Sequence, residues 1–397
     1  MHDNQTAAAR HLVAIVVLRR FLVARLSLSV LPFVPYTLLY ALHYGVSVSA
    51  TLLAEAAFEV FAVVLDIPCG IFADRLGRSV ALSLTGGIQL ICCLLLFLDP
   101  GAFAFWATQP LWAIAAALSR GADSGAAHDI LERHGVVDSF EFMEQRYLVV
   151  YSYTSALIFA LSLFVVKYGY KYVFLETACI QVVAIFLLVS LPKSPAHALP
   201  ASSASLIGPP VIRGLLHDAR GNPGGSVLLL SLIFFSTALL AMSFYMPALL
   251  TVCGVPGIYA GPVFALSGVS AGLISSSATR RNWAISGLSV AGAALGIGFF
   301  PTHSVVLLVG GYTSCLVAQI SVLPKARNAV LAAMPNRGKA EALSFVTVAG
   351  GLGFALVAFP LSVLIKETSI DSLAVVCSGL LAGSWVILRA SERCALA

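Results

Sequence analysis

The chain has 397 residues, 59% hydrophobic and 10% charged, with a formal net charge of +5 and a mean hydropathy of +0.95. A soluble domain carries roughly 25% charged residues, so a water-surrounded globule is excluded. There is no basic aromatic surface for nucleic acid, and the eight cysteines lack metal-ligand spacing and read as small hydrophobes. No cofactor or metal is called for.

The apolar residues recur in windows of about 20, the length of a membrane-crossing helix. Lipid forces backbone groups to be satisfied internally, and the runs lack the alternation of barrel strands. The expected fold is an all-α membrane protein of twelve transmembrane helices in two pseudo-symmetric six-helix bundles. The spans are expected near residues 20–42, 48–72, 79–98, 106–128, 146–166, 172–191, 227–249, 257–277, 283–300, 304–324, 341–365 and 371–389. The polar first ten residues hold no signal-peptide pattern.

Residues 192–226 are rich in Pro, Ser, Ala and Gly, the composition of a linker. They separate a six-span unit at 1–191 from another at 227–397, as in a duplicated transporter. Val211 to Arg220 has a weak amphipathic pattern suited to a membrane interface. With the N-terminus inside, Arg75, Arg78, Lys193, Arg280, Arg281, Lys325, Arg337 and Lys339 fall beside cytoplasmic segments. The external turns receive only Lys167, Lys171 and Lys366. That bias predicts two cytoplasmic termini and a cytoplasmic linker in a plasma (inner) membrane.

Between the second and third spans runs Gly70-Ile71-Phe72-Ala73-Asp74-Arg75-Leu76-Gly77-Arg78. It resembles the loop motif G-x-x-x-D-R/K-x-G-R-R/K of the major facilitator superfamily, with Ser79 departing at the last position. Asp66-Ile67-Pro68-Cys69-Gly70 and Gly121 to Asp129 look like segments of a drug and metabolite exporter branch, and Pro335 to Ser344 resembles the loop before the eleventh span. Glycines at 70 and 77 suit close helix approach and a tight turn. Asp74 can pair with Arg78 and cap helix donors. The resemblance implies a clasp that opens and closes the cytoplasmic side, with Asp66, Gly70, Asp74, Arg75, Gly77 and Arg78 as its gating residues.

Ionisable residues inside spans are costly and usually face a partner or a cavity. Glu55, Glu59 and Asp66 share one face of the second span. Low dielectric disfavours a charged carboxylate, which makes Glu59 the first candidate proton carrier; a structural pair with Arg25 is the other reading. Arg25 can instead answer a fourth-span carboxylate or snorkel to headgroups. Arg120 and Asp123, three residues apart, can pair on one face of the fourth span. Arg25, Glu55, Glu59, Arg120 and Asp123 are thus the candidates for proton coupling or substrate contact. In the second half Tyr245, Tyr312 and Gln319 suit an apolar cavity with a few orienting groups.

No phosphate-binding Gly-x-x-x-x-Gly-Lys-Ser/Thr loop is present, which argues against a primary pump. No nucleophile or metal-ligand constellation supports an enzyme. The expected function is secondary active transport by alternating access, as a monomer in the bilayer, exporting an amphipathic small molecule in exchange for protons. The Gly-rich, Gly-Pro-bearing stretch that exporters of the family carry in the fifth span is absent from Tyr147 to Tyr168. Proton-coupled uptake therefore stays open, as does a non-transporting receptor or assembly factor.

Overall fold

The computed structural model describes residues 2–133, 140–191, 223–277, 283–298, 302–333, 350–360, 362 and 371–396. Within them the chain is helical: α1 His2–Ser29, α2 Thr37–His43, α3 Val48–Leu76, α4 Arg78–Leu98, α5 Ala102–Arg133, α6 Phe140–Val166 and α7 Tyr172–Val189. There follow α8 Pro223–Val252, α9 Ala260–Ser277, α10 Trp283–Gly298, α11 Val305–Ala333, α12 Gly350–Pro360 and α13 Asp371–Leu396. Eight segments among the described residues are long and apolar enough to cross a bilayer, from Val16–His43 to Gly257–Ile274, and Val305–Ile320, Gly350–Pro360 and Ala374–Ile387 are shorter apolar helices. The amphipathic 211–220 segment and the 335–344 motif lie outside the described residues.

Lipid as the surrounding solvent explains the surface. Phe186, Leu356 and Phe164 point outward at 74%, 76% and 60% exposure, while Arg25 and Glu59 are buried. Apolar side chains need no shelter from hydrocarbon, whereas charges do.

The first span departs from the continuous helix expected over 20–42. It stops at Ser29, runs irregularly through Val30–Phe33, and resumes as a 3-10 turn at Val34–Tyr36 and then α2. Pro32 and Pro35 have no backbone N–H to continue the ladder. Freed groups are satisfied locally: Val34 N donates to Leu31 O at 3.0 Å and Thr37 Oγ1 to Phe33 O at 3.1 Å.

In the N-terminal half α5 packs on α3 and α4, and α7 on α4 and α1. In the C-terminal half α8 packs on α13, and α10 on α11 and α13. At the end carrying the 44–47, 99–101 and 167–171 turns, Phe33 sits between Trp112 and Phe174 with both centroid distances 5.0 Å, each pair adding about 1 kcal/mol beyond area burial. The halves meet along α6 and α9 and where α2 lies on α8. There the buried Tyr36 hydroxyl accepts from Gly261 N and donates to Ile258 O, both at 3.2 Å. A Cβ on Gly261 would collide with Phe159 O and that hydroxyl, so glycine sets the approach of α9 to α6.

Gly77 ends α3 and starts α4 at φ +92 and ψ +137, a sparsely populated region that costs a side-chain-bearing residue about 1–3 kcal/mol. Gly70 is helical with open space at its Cβ position. Thermal unfolding in detergent should therefore show a clearly lowered midpoint for Gly77→Ala and little change for Gly70→Ala. Equal midpoints would contradict this account of the turn.

Candidate functional site

Two ion pairs cross the interior of the N-terminal half. Arg25 on α1, 4% exposed, bridges the Asp123 carboxylate of α5, and its guanidinium lies over the Tyr147 ring of α6, 3.8 Å from the centroid. About one helical turn earlier on α5, Arg120 donates to Glu59 Oε2 of α3 at 3.4 Å. The sequence pointed to Arg120 with Asp123 and offered Arg25 for Glu59. The bridges run between helices: α5 packs against both α1 and α3, and Arg120 and Asp123 each meet an opposite charge on one of them. Of the open readings of Arg25, the one realised is an answer to the fourth-span carboxylate.

Glu59 is also covered from the other half. A Cβ on Gly351 of α12 would stand 2.5 Å from Glu59 Oε2, so the absence of a side chain there leaves this carboxylate its present position against α12. Glu55, one turn away on α3, is half-buried.

At the opposite end from the Phe33 stack, Arg78 donates to Asp129 Oδ1 of α5 at 2.8 Å. A Cβ at Gly125 would fall 2.6 Å from the Arg78 Cζ, so this glycine makes the groove in which the guanidinium lies. The sequence pointed to Asp74 for Arg78; the Asp74 and His128 side chains lie outside the described residues. Arg75 is exposed and Asp66 half-buried on α3, and Gly70 and Gly77 hold the helical and turn positions given above.

A cavity of about 240 Å³ opens between α1, α3, α4 and α5. Arg25 and Asp123 line it, with Ser29 and Leu31 at the break in the first span, Phe58 of α3, Thr85 and Gln89 of α4, and Trp112 and Ser119 of α5. Glu59 and Arg120 stand outside this lining. So do Tyr245 and Tyr312, which are buried in the core of the C-terminal half with Leu52 and Ala56 of α3; Tyr312 donates to Ser243 Oγ at 3.4 Å. Gln319 is half-buried on α11.

Sequence reasoning missed Thr85, Gln89, Ser119, Gly125 as a seat and Gly351. Gln89 carried a readable signal, an amide alone among apolar residues in the third span. Gly351 carried none, because its role exists only where α12 meets α3.

Removing one member of a buried ion pair leaves the other uncompensated, at a cost of about 3 kcal/mol. Arg25→Met should destabilise by that order, and adding Asp123→Leu should restore much of the loss. A double-mutant cycle read by unfolding in detergent measures the coupling; purely additive effects would show that the two residues are not a pair.

The sequence matches the family model described as Major Facilitator Superfamily over residues 20–358, and no curated protein matches it by sequence. Among solved structures the fold is similar to that of the nucleoside transporter NupG, at 14% identity and TM-score 0.70 over 95% of this chain and 99% of that one. It is also similar to a D-xylose-proton symporter, at 14% identity and TM-score 0.66 over 94% and 95%. The human organic anion transporter MFSD10 aligns at 18% identity and TM-score 0.61 over 96% and 99%. At these identities the likeness is one of fold. With the family match and its apolar helices, the protein is a multi-pass membrane protein of transporter architecture rather than a catalytic enzyme. The chain belongs to the Major Facilitator Superfamily.

Proposed function

We propose that the protein is a secondary active transporter that exports an amphipathic small molecule in exchange for protons, working by alternating access as a monomer. In this reading twelve spans form two six-helix bundles, residues 1–191 and 227–397, and residues 192–226 are a cytoplasmic linker. Both termini then face the cytoplasm of the plasma (inner) membrane, in keeping with the Lys and Arg bias.

The observation that carries the coupling is Glu59, held by Arg120 on its own half and covered by Gly351 of the other. Protonating Glu59 cancels the charge that holds Arg120. Separation of α12 from α3 uncovers the carboxyl, so its proton exchange is tied to the movement of one half against the other. Arg78, bonded to Asp129 in the groove at Gly125, supports the clasp reading of the 70–78 loop, because its anchoring to α5 fixes that loop to the N-terminal half. Arg75, exposed beside it, is free in position to meet the opposite half.

Accumulation of fluorescent and radiolabelled amphiphiles in export-deficient cells tests this. The wild type should lower accumulation, and Glu59→Gln, Asp74→Asn or a protonophore should each abolish the effect. Raised accumulation in the wild type would reverse the direction to uptake. Activity that survives a collapsed proton gradient and follows an imposed sodium gradient would overturn proton coupling.

A further inference from the structure

We propose that the cavity within the N-terminal half is the substrate seat, and that it selects a small uncharged molecule presenting N–H or O–H donors from a ring-sized apolar body. This rests on the transporter reading above and names its substrate class.

The backbone gives the first argument. Non-helical chain at membrane depth persists where it is buried in protein or lines a polar space. The first span loses its helix at Val30–Phe33, and Ser29 and Leu31 at that break line the cavity. Interrupted spans mark binding sites in secondary transporters for this reason.

The hydrogen-bond inventory gives the second. A hydroxyl has one hydrogen and two lone pairs. Thr85 Oγ1 donates to Ala81 O at 3.1 Å, and Ser119 Oγ donates to Ala116 O at 2.9 Å. Each therefore offers the cavity lone pairs only. Gln89 is 8% exposed, and its Oε1 is buried without a hydrogen-bond partner among the described residues. Such an acceptor is unfavourable until a donor reaches it. The Thr85, Ser119 and Gln89 Oε1 oxygens thus offer the cavity acceptors, and the complement of that group is a donor.

Charge gives the third. Among the described residues, Arg25 and Asp123 are the only charged ones lining the cavity, and they are joined to each other. Their sum is zero. A cation would face Arg25 with its countercharge already engaged, and an anion would face the lone pairs of Thr85, Ser119 and Gln89. Either would leave a net charge in a low-dielectric site. An uncharged donor avoids both conflicts, and Phe58 and Trp112 supply the apolar wall for its ring.

The test uses three probes of one shape on the purified full chain in detergent: nicotinamide, which is neutral with N–H donors, nicotinate, an anion, and 3-picolylamine, a cation at neutral pH. Equilibrium dialysis should show saturable nicotinamide binding at least tenfold tighter than either charged probe. Gln89→Leu should weaken it about fivefold, the worth of one hydrogen bond. Ser119→Ala, a smaller change that serves if Gln89→Leu does not fold, should weaken it about twofold. Tighter binding of a charged probe, no binding of any of the three, or nicotinamide binding untouched by both variants would overturn the proposal. Solute counterflow in proteoliposomes separates the two readings. Selective binding without transport of any solute overturns the transporter reading alone, and transport without the predicted selectivity overturns this one alone.

Discussion

A charge in hydrocarbon must find its opposite inside the protein, and the N-terminal half is arranged around that constraint. Arg25 with Asp123, and Arg120 with Glu59, are paired inside that half. Their bridges tie α5 to α1 on one side and to α3 on the other. Helix packing and charge neutralisation therefore demand the same geometry. With a bridge on each side, α5 is tied to both neighbours. Hydrocarbon gives no hydrophobic force between helices, which makes such polar ties correspondingly important.

The C-terminal half solves the same problem by having almost nothing to neutralise. Its described core is apolar, with small polar ties such as Ser231 Oγ donating to Ser384 O at 2.9 Å. The seam between the halves uses glycine. Gly261 lets α9 reach Tyr36 and Phe159, and Gly351 lets α12 reach Glu59. Contacts of this kind are close but carry little side-chain interdigitation.

The helical class and the turn at Gly77 were legible in the sequence because each rests on a local signal, span length and a glycine among charges between apolar runs; α3 runs on to Leu76, so residues 70–76, expected as loop, are helix. The charges inside the membrane were legible as a set. Their partners were not, since i to i+3 spacing shows which residues share a face and says nothing of the helix that face meets. Arg120 and Asp123 illustrate this, each bridged to a different neighbour of α5. Asp129 likewise gave no sign that it would hold Arg78, because that contact depends on the groove at Gly125. The break at Val30–Phe33 was readable in hindsight from Pro32 and Pro35, but a hydropathy window averages across it.

That break divides the first span into two levers with different loyalties. The segment up to Ser29 is fastened to α5 and α7 by Arg25 and by the Gln181 side-chain amide, which donates to Ser27 O at 3.4 Å. The segment from Val34 to His43 rests against α8, and Tyr36 holds α9. A continuous helix would transmit torque along its whole length, whereas four residues without a helical ladder do not. The Arg25 end and the Tyr36 end of this one span are thereby held by different helices, with no continuous ladder to make them a single rigid rod.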